Sequence, residues 1–133
     1  MILGAAVPRR LVLSRLAQED LDAVAYATIE RFGWGQLVVY EARMRGVLEE
    51  IVRGPHVLPS RAEPELTRMV GHPAAVWSRH LGPRARHRWY YRVIEDSDSG
   101  SEGARELVQV ARLLHDAMEP AGYVGEGFGS LTQ

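Results

Sequence analysis

The segment from Arg84 to Val93, RARHRWYYRV, concentrates the side chains of this chain that are best suited to binding an anion. It holds four arginines, one histidine and three aromatic residues in ten positions. A guanidinium group can hold a phosphate or a carboxylate through two parallel hydrogen bonds. The 16 residues of the lysine and arginine class are all arginine, so cationic chemistry here belongs to arginine and histidine.

If this segment is a β-strand, its side chains alternate between the two faces of a sheet. Trp89, Tyr91 and Val93 then share one face with Ala85 and His87, and this face suits packing against helices. The other face is a row of arginines around one tyrosine, which we expect to meet solvent or a partner: Arg84, Arg86, Arg88, Tyr90, Arg92 and Ile94.

The charges around this strand are strongly segregated along the sequence. No acidic residue occurs from Leu66 to Ile94, whereas six arginines do, and acidic residues crowd the loop that follows. Most charge runs are solvated surface, here with arginines paired to the acidic loop. The alternative is a face that binds the phosphates or carboxylates of a partner. On that alternative, we predict partner contacts at Arg79, Arg86, Arg88, Tyr90, Arg92 and Arg112.

The other candidate motifs carry weaker signals. His87 is predicted to be a core histidine, and His72, His80 and His115 are too scattered to indicate a metal site. GEGFG, residues 125–129, follows no clear strand, so we interpret it as part of a flexible tail and not as a phosphate loop. We expect neither a metal nor a cofactor, and the chain has no cysteine for disulfide or thiolate chemistry.

Length and composition indicate a single soluble globular domain, because the 133 residues are 46% hydrophobic and 25% charged. A formal net charge of -1 predicts no overall attraction to nucleic acid. No apolar run approaches the roughly 18 residues that span a membrane. The opening MILGAAVPRR places its basic residues after its apolar ones, unlike a secretory signal, so we expect a cytoplasmic protein.

The elements that would position the arginine strand can be predicted from periodicity. Residues 9–14, RRLVLS, predict a short strand that ends at a helix-capping serine. Apolar stripes at helical spacing follow in residues 16–33 and 34–55, and the Gly-Trp-Gly link between them predicts an antiparallel helix hairpin. Prolines interrupt residues 55–83, so no long helix or strand is expected there, and the clearest strand pattern is at residues 74–81.

The end of the chain is ambiguous by pattern alone. ARELVQVARLLHDAMEP, residues 104–120, fits a helix and also fits a strand that is buried on both faces. The remaining glycine-rich residues predict a loose tail.

This order of short strand, helix hairpin and basic aromatic strand resembles the ParE/RelE superfamily of bacterial toxins from type II toxin–antitoxin modules. The resemblance is carried by residues 11–55 and by the blocks RWYYRVIED and VQVARLLHDAMEP. It implies an α+β fold with a two-helix antiparallel hairpin packed on a small twisted antiparallel β-sheet, and it makes LVQVARLLH the last strand. It also implies one domain over residues 1–120, a glycine-rich tail over 121–133, and a concave sheet face that shows Arg86, Arg88, Tyr90 and Arg92.

Two functions are known on that fold, and the fold does not decide between them. RelE-like members are ribosome-dependent endonucleases that cut mRNA, which requires a base, cations and an acid. Arg88 stands where those nucleases place a strand arginine, but their lysines have no counterpart here, and the ending HDAMEP lacks their arginine and tyrosine. The nuclease alternative would therefore rely on Arg88, Tyr90, Arg92 and His115 as catalytic residues.

ParE-like members are described as inhibitors of DNA gyrase that act by binding, and the ending RLLHDAMEP is similar to theirs. The resemblance therefore implies a ParE-like toxin, a binding protein and not an enzyme, that targets DNA gyrase. Its expected partner is a cognate ParD-like antitoxin in a hetero-oligomer, with no membrane and no specific nucleic acid sequence among its ligands. Two segments are longer than such toxins usually carry, residues 59–83 and the acidic loop 95–104.

Overall fold

The computed structural model describes residues 8–97 and 105–131, so most of the predicted acidic loop and the last two residues of the predicted tail lie outside the described residues. The described chain forms five strands, four helices and one 3₁₀ turn: β1 Arg9–Leu13, α1 Arg15–Phe32, α2 Trp34–Arg53, β2 Arg61–Ala62, α3 Pro64–Val70, β3 Val76–His80, β4 His87–Glu95, β5 Glu106–His115, the turn Pro120–Gly122 and α4 Val124–Gly129. The predicted α+β class is confirmed.

The five strands form one sheet in the order β1-β5-β4-β3-β2. β1 runs parallel to β5, and the other neighbouring strands are antiparallel. The sheet is therefore mixed, which corrects the prediction of a wholly antiparallel one. β1 leads directly into α1, and the helix hairpin carries the chain from β1 at one edge of the sheet to β2 at the other edge. The chain then returns through β3 and β4 to β5, which pairs with β1.

The prediction that residues 104–120 contain a strand is confirmed, because β5 occupies Glu106–His115. β5 lies between β1 and β4, and every residue from Leu107 to Leu114 is buried. A strand that is covered on both faces has a nearly continuous apolar sequence without alternation. This burial explains why its pattern fits a helix equally well.

The helix hairpin begins and turns where the sequence predicts. The Ser14 hydroxyl accepts a hydrogen bond from the Ala17 amide at 2.9 Å, which caps α1, and donates one to the Ala111 carbonyl at 2.7 Å. Gly33, with a φ of 86°, separates α1 from α2. The two helices bury their apolar stripes against one face of the sheet, in a core that includes Leu21, Met44, Ile51, Trp89, Tyr91, Val108 and Val110.

The opposite face of the sheet is also covered, which the sequence did not lead us to expect. α3 and α4 pack there around Tyr90, in a second core with Leu66, Val76, Ala111, Leu114, Val124 and Phe128. The predicted loose tail is therefore wrong for the described residues, because α4 buries Val124 and Phe128 and sits directly on β5. Among the described residues, no helix has the length and apolar character needed to cross a membrane.

Candidate functional site

Arg79 was predicted to contact a partner, but it is buried on the helix side of the sheet. It pairs with Trp89 in the β3–β4 register and is 3% exposed. Its guanidinium donates hydrogen bonds to the Ser60 hydroxyl at 2.8 Å, to a Glu50 carboxylate oxygen at 3.0 Å and to the Val57 carbonyl at 3.0 Å. Arg79 therefore ties the end of α2 to the segment that follows it.

Arg92 and Arg112 lie on the predicted face, but both are only 9% exposed and bind groups of their own chain. Arg92 Nε donates to Gln109 Oε1 at 2.7 Å, and its guanidinium lies 4.1 Å from the centre of the Phe128 ring. Arg112 binds both carboxylate oxygens of Asp20, at 2.7 and 2.8 Å.

Asp20 also accepts the Leu113 amide at 3.0 Å, so its carboxylate covers the edge of β5 beyond the end of β1. With this pair, three of the six predicted partner contacts are satisfied within the chain. The prediction of an open arginine face is therefore wrong. The missed signal is the apolar pair Val124 and Phe128, four residues apart, which holds α4 over that face.

The accessible remainder of that face is a polar pocket beside the sheet edge, an open depression of about 630 Å³. We use the name polar pocket for the residues that line it: Arg61, Glu63, His80, Arg88, Tyr90, Asp116, Met118 and Pro120. β2, β3 and β4 contribute the side chains of one face, because Arg88 pairs with His80 and Tyr90 pairs with Ser78. Asp116 enters from the residue after β5.

The charged side chains of the polar pocket form two hydrogen-bonded sets. His80 Nε2 lies 2.9 Å from Asp116 Oδ2, while its Nδ1 accepts the Gly82 amide at 3.0 Å. Arg88 donates to the Ser78 hydroxyl at 3.0 Å, and that hydroxyl donates to Glu63 at 2.6 Å. The pocket therefore contains the imidazole of His80, which the Asp116 carboxylate orients, and the guanidinium groups of Arg61 and Arg88.

Burial is the main cause of the pKa shifts of Arg88 and Tyr90 in the polar pocket. Burial lowers the pKa of Arg88, and the neighbouring Arg61 lowers it further. Burial also raises the pKa of the Tyr90 hydroxyl, with a smaller contribution from the Glu63 carboxylate. Tyr90 therefore stays a neutral phenol near pH 7.

A second depression, of about 830 Å³, lies on the helix side between α1, the start of α2 and the end of the sheet. We use the name basic groove for the residues that line it: Ala23, Val24, Ala27, Thr28, Arg31, Phe32, Gln36, Tyr40, Arg84, Arg86, His87 and His115. Arg86 precedes β4 and lines this groove, so it does not continue the row formed by Arg88.

His87 lies at the inner end of the basic groove. The Tyr40 hydroxyl lies 2.8 Å from its Nδ1, and the His115 ring meets it edge-on with centroids 5.2 Å apart. Burial lowers the pKa of His87 to about 4, helped by the positive potential of His115 and opposed by Asp116. His87 is neutral at pH 7, consistent with its prediction as a packing histidine.

The helix hairpin also exposes large apolar side chains. Among the described residues, five of the nine exposed large apolar side chains belong to α1 and α2, and Trp34 is the most exposed of these at 70%. We use the name hairpin patch for these five: Tyr26, Phe32, Trp34, Val38 and Val39. Trp34 and Val38 are four residues apart on α2 and therefore share a helix face.

The four residues of the predicted nuclease set are brought together only in part. Arg88 and Tyr90 share the polar pocket, whereas Arg92 is buried beside Gln109, and His115 lies in the basic groove. His80 and Asp116 are not recognisable as a pair from the sequence, because they are 36 positions apart in the chain and meet only through the β3–β4–β5 pairing.

Within residues 8–97 and 105–131, no group of three histidine, aspartate or glutamate side chains is placed to hold a metal ion. Comparison of the chain with protein-family models, with curated proteins and with solved structures finds no significant match to any of them.

Proposed function

We propose that this chain is the toxin component of a type II toxin–antitoxin module, ParE-like in action, which stops growth in the cytoplasm by binding a protein target. DNA gyrase is the target we propose, and a ParD-like antitoxin, encoded beside the toxin, is the neutralising partner. The proposal begins with the sequence resemblance of residues 9–120. The α+β fold, with a helix hairpin on one face of its sheet, is compatible with it.

The observation that carries a binding function is the hairpin patch. Contact between large apolar side chains and water is unfavourable in free energy. A group of such side chains exposed on a folded protein commonly marks a contact site for another protein. Tryptophan and tyrosine contribute most strongly to such contacts, because each buries a large area with few rotatable bonds. Tyr26 and Trp34 are both about two-thirds or more exposed, so they have the area to offer.

The burial of the arginines supports the same conclusion. A nuclease that used the predicted set would need Arg92 to reach a phosphate, but Arg92 is held between Gln109 and Phe128. A protein-binding toxin needs no cation at that position. The hairpin therefore exposes large apolar side chains that a partner can contact, whereas Arg92 and Arg112 of the predicted sheet face are buried.

The decisive experiment combines induced expression with two assays on the purified chain. We expect the chain to inhibit gyrase-catalysed supercoiling and to leave translated mRNA intact in primer-extension assays. The double variant Trp34→Ser, Val38→Ser should weaken target binding by about 30-fold or more, the loss typical of removing a dominant contact residue.

The matched control is Val57→Ser, Leu58→Ser, which removes two apolar side chains that are also exposed but lie after α2. This control should remain as inhibitory as the natural chain. Undiminished growth inhibition by the hairpin-patch variant, or normal supercoiling at saturating protein, would argue against the proposal.

The polar pocket favours one second candidate function, ribonuclease activity. His80 could take the proton from an RNA 2′-hydroxyl at Nδ1, provided that this nitrogen exchanges the Gly82 amide for the hydroxyl while Asp116 holds Nε2. The 2′-oxygen would then attack the adjacent phosphorus. Arg88 and Arg61 could balance the charge that develops on the phosphate oxygens. The bond from phosphorus to the 5′-oxygen would then break, which leaves a 2′,3′-cyclic phosphate, and the 5′-oxygen would take a proton from water in the open pocket.

This second function predicts that His80→Gln and Arg88→Ala each reduce mRNA cleavage by at least about 100-fold, the usual contribution of one acid–base or charge-stabilising group. The hairpin-patch variant should cut RNA normally under this function. A chain that inhibits growth equally well with and without His80 would rule out the polar pocket as the source of toxicity.

A further inference from the structure

We propose that the basic groove is the docking site for an acidic, amphipathic segment of the antitoxin, with apolar side chains inside the groove and carboxylates on Arg31, Arg84 and Arg86. This inference rests on the proposed function, because it assigns the partner's contact region to particular residues. Of the six partner contacts predicted from the sequence, Arg86 alone lines this groove.

The shape and lining of the groove fit a polypeptide segment. α1 contributes Ala23, Val24, Ala27 and Thr28 to the lining of the groove, and α2 contributes Tyr40. The exposed surface inside is predominantly apolar, and the volume of about 830 Å³ accommodates several side chains. Amphipathic helices are commonly bound in apolar grooves of this kind.

The three arginines at the groove supply the charge complementarity. Arg31, Arg84 and Arg86 are exposed, and none of their guanidinium groups forms an ion pair or a hydrogen bond with another described residue. By contrast, the exposed residues Arg15, Arg45 and Arg68 each pair with a glutamate three or four positions away.

The two acids that act on His87 at the inner end of the groove have partners of their own. Asp20 is bound by Arg112, and Asp116 is within hydrogen-bond distance of His80. A partner that brings carboxylates would therefore meet guanidinium groups that form no ion pair within the described chain. Such complementarity speeds capture and fixes the orientation of the bound segment.

The backbone holds one of these arginines in an unusual position. Arg84 has a φ of 68°, the left-handed conformation that glycine and asparagine adopt readily and that other residues adopt at a cost of about 1–2 kcal/mol. Arg43 fixes this turn by donating to the Pro83 carbonyl at 2.6 Å, and the Arg86 amide donates to the Tyr40 hydroxyl at 3.4 Å. The turn is thus anchored to α2 at both sides of Arg84, and its arginines are positioned before any partner arrives.

The test uses a random 16-residue peptide library displayed on phage and selected on the folded, full-length chain. We expect the selected peptides to combine aspartate or glutamate with apolar residues at helical spacing. The strongest peptide is then synthesised, labelled and titrated by fluorescence anisotropy against three proteins: the natural chain, Arg31→Glu/Arg84→Glu/Arg86→Glu, and Arg15→Glu/Arg45→Glu/Arg68→Glu.

The two triple variants change the net charge equally, and circular dichroism checks that both remain folded. The groove variant should lose at least 30-fold in affinity, and the control variant less than 3-fold. The inference is overturned if no peptide is selected, if the peptides are neutral or basic, or if both variants lose affinity equally. It is also overturned if a 16-nucleotide RNA binds the natural chain and loses affinity in the groove variant alone.

Failure of this inference can be told apart from failure of the proposed function. If the natural chain stops growth but its antitoxin neutralises the groove variant normally, the docking site is wrong and the toxin function stands. If acidic peptides bind the groove but induced expression is harmless, the toxin function is wrong and the groove remains a binding site for such segments.

Discussion

At the scale of single residues, arginine serves two opposite purposes in this protein. Arg79, Arg92 and Arg112 are buried. The planar guanidinium group of each donates hydrogen bonds to acceptors of its own chain, and that of Arg92 also lies over an aromatic ring. Arg31, Arg84 and Arg86 lie at the surface with no such partners among the described residues. A lysine could not replace the first set, because one ammonium cannot bind both oxygens of Asp20 in the same plane.

His87 gives a pH-dependent prediction at this scale. In the folded protein its pKa is about 4, whereas the same side chain in the unfolded chain takes up a proton near pH 6.5. Between these values the unfolded state binds more protons, so the free energy of unfolding decreases as the pH falls from about 6.5 towards 4. Above this window His87 is neutral in both states and contributes no pH dependence.

Urea unfolding at pH 5 and at pH 7.5 measures this effect. His87→Gln should show a smaller loss of stability between the two pH values than the natural chain does. The difference is at most about 1.4 kcal/mol per pH unit for one proton, and partial exposure of the ring reduces it. His56 and His72, whose pKa values burial also lowers, leave a residual slope in both proteins. Equal slopes would show that His87 is protonated freely in the folded state.

At the scale of elements, α4 is a helix that its own sequence does not favour. Three of its six residues are glycines, each of which disfavours a helix by about 1 kcal/mol relative to alanine. Packing compensates, because Val124 and Phe128 are buried in the second core. Gly127 is required for this contact, since a Cβ atom there would lie 2.3 Å from the Ala111 carbonyl oxygen.

Gly127→Ala and Gly125→Ala therefore form a matched pair with opposite expected effects. Gly127→Ala should reduce the free energy of unfolding by about 1–3 kcal/mol, because α4 must move away from β5. Gly125→Ala meets no atom within 4 Å and should be neutral or stabilising by up to about 1 kcal/mol. Urea unfolding measures both, and limited proteolysis after residue 120 should be faster only in Gly127→Ala. Equal stability of the two variants would mean that α4 is not held tightly on β5.

At the scale of the whole molecule, the elements with local signals were predictable and the long-range contacts were not. The Ser14 cap, the hairpin turn at Gly33 and the aromatic strand β4 are specified by neighbouring residues, and all three are found. The pair of Arg112 and Asp20 spans 92 positions and depends on the place of β5 in the sheet. Strand parity assigned Tyr90 and Arg92 to the correct face, but it could not show that α3 and α4 cover that face.

The pairing of β1 with β5 has a consequence for how this protein emerges from the ribosome. Arg9 of β1 reaches its ion-pair partner Glu106 only after 97 further residues have been added, which takes about 5–20 s at ordinary rates of synthesis. Until β5 is made, α1 and α2 can form but have no complete sheet to cover them. A ribosome that stalls before β5 would leave a nascent chain without the strand that joins β1 to the rest of the sheet. On the proposed function, translation must pass through β5 before the protein can harm the cell.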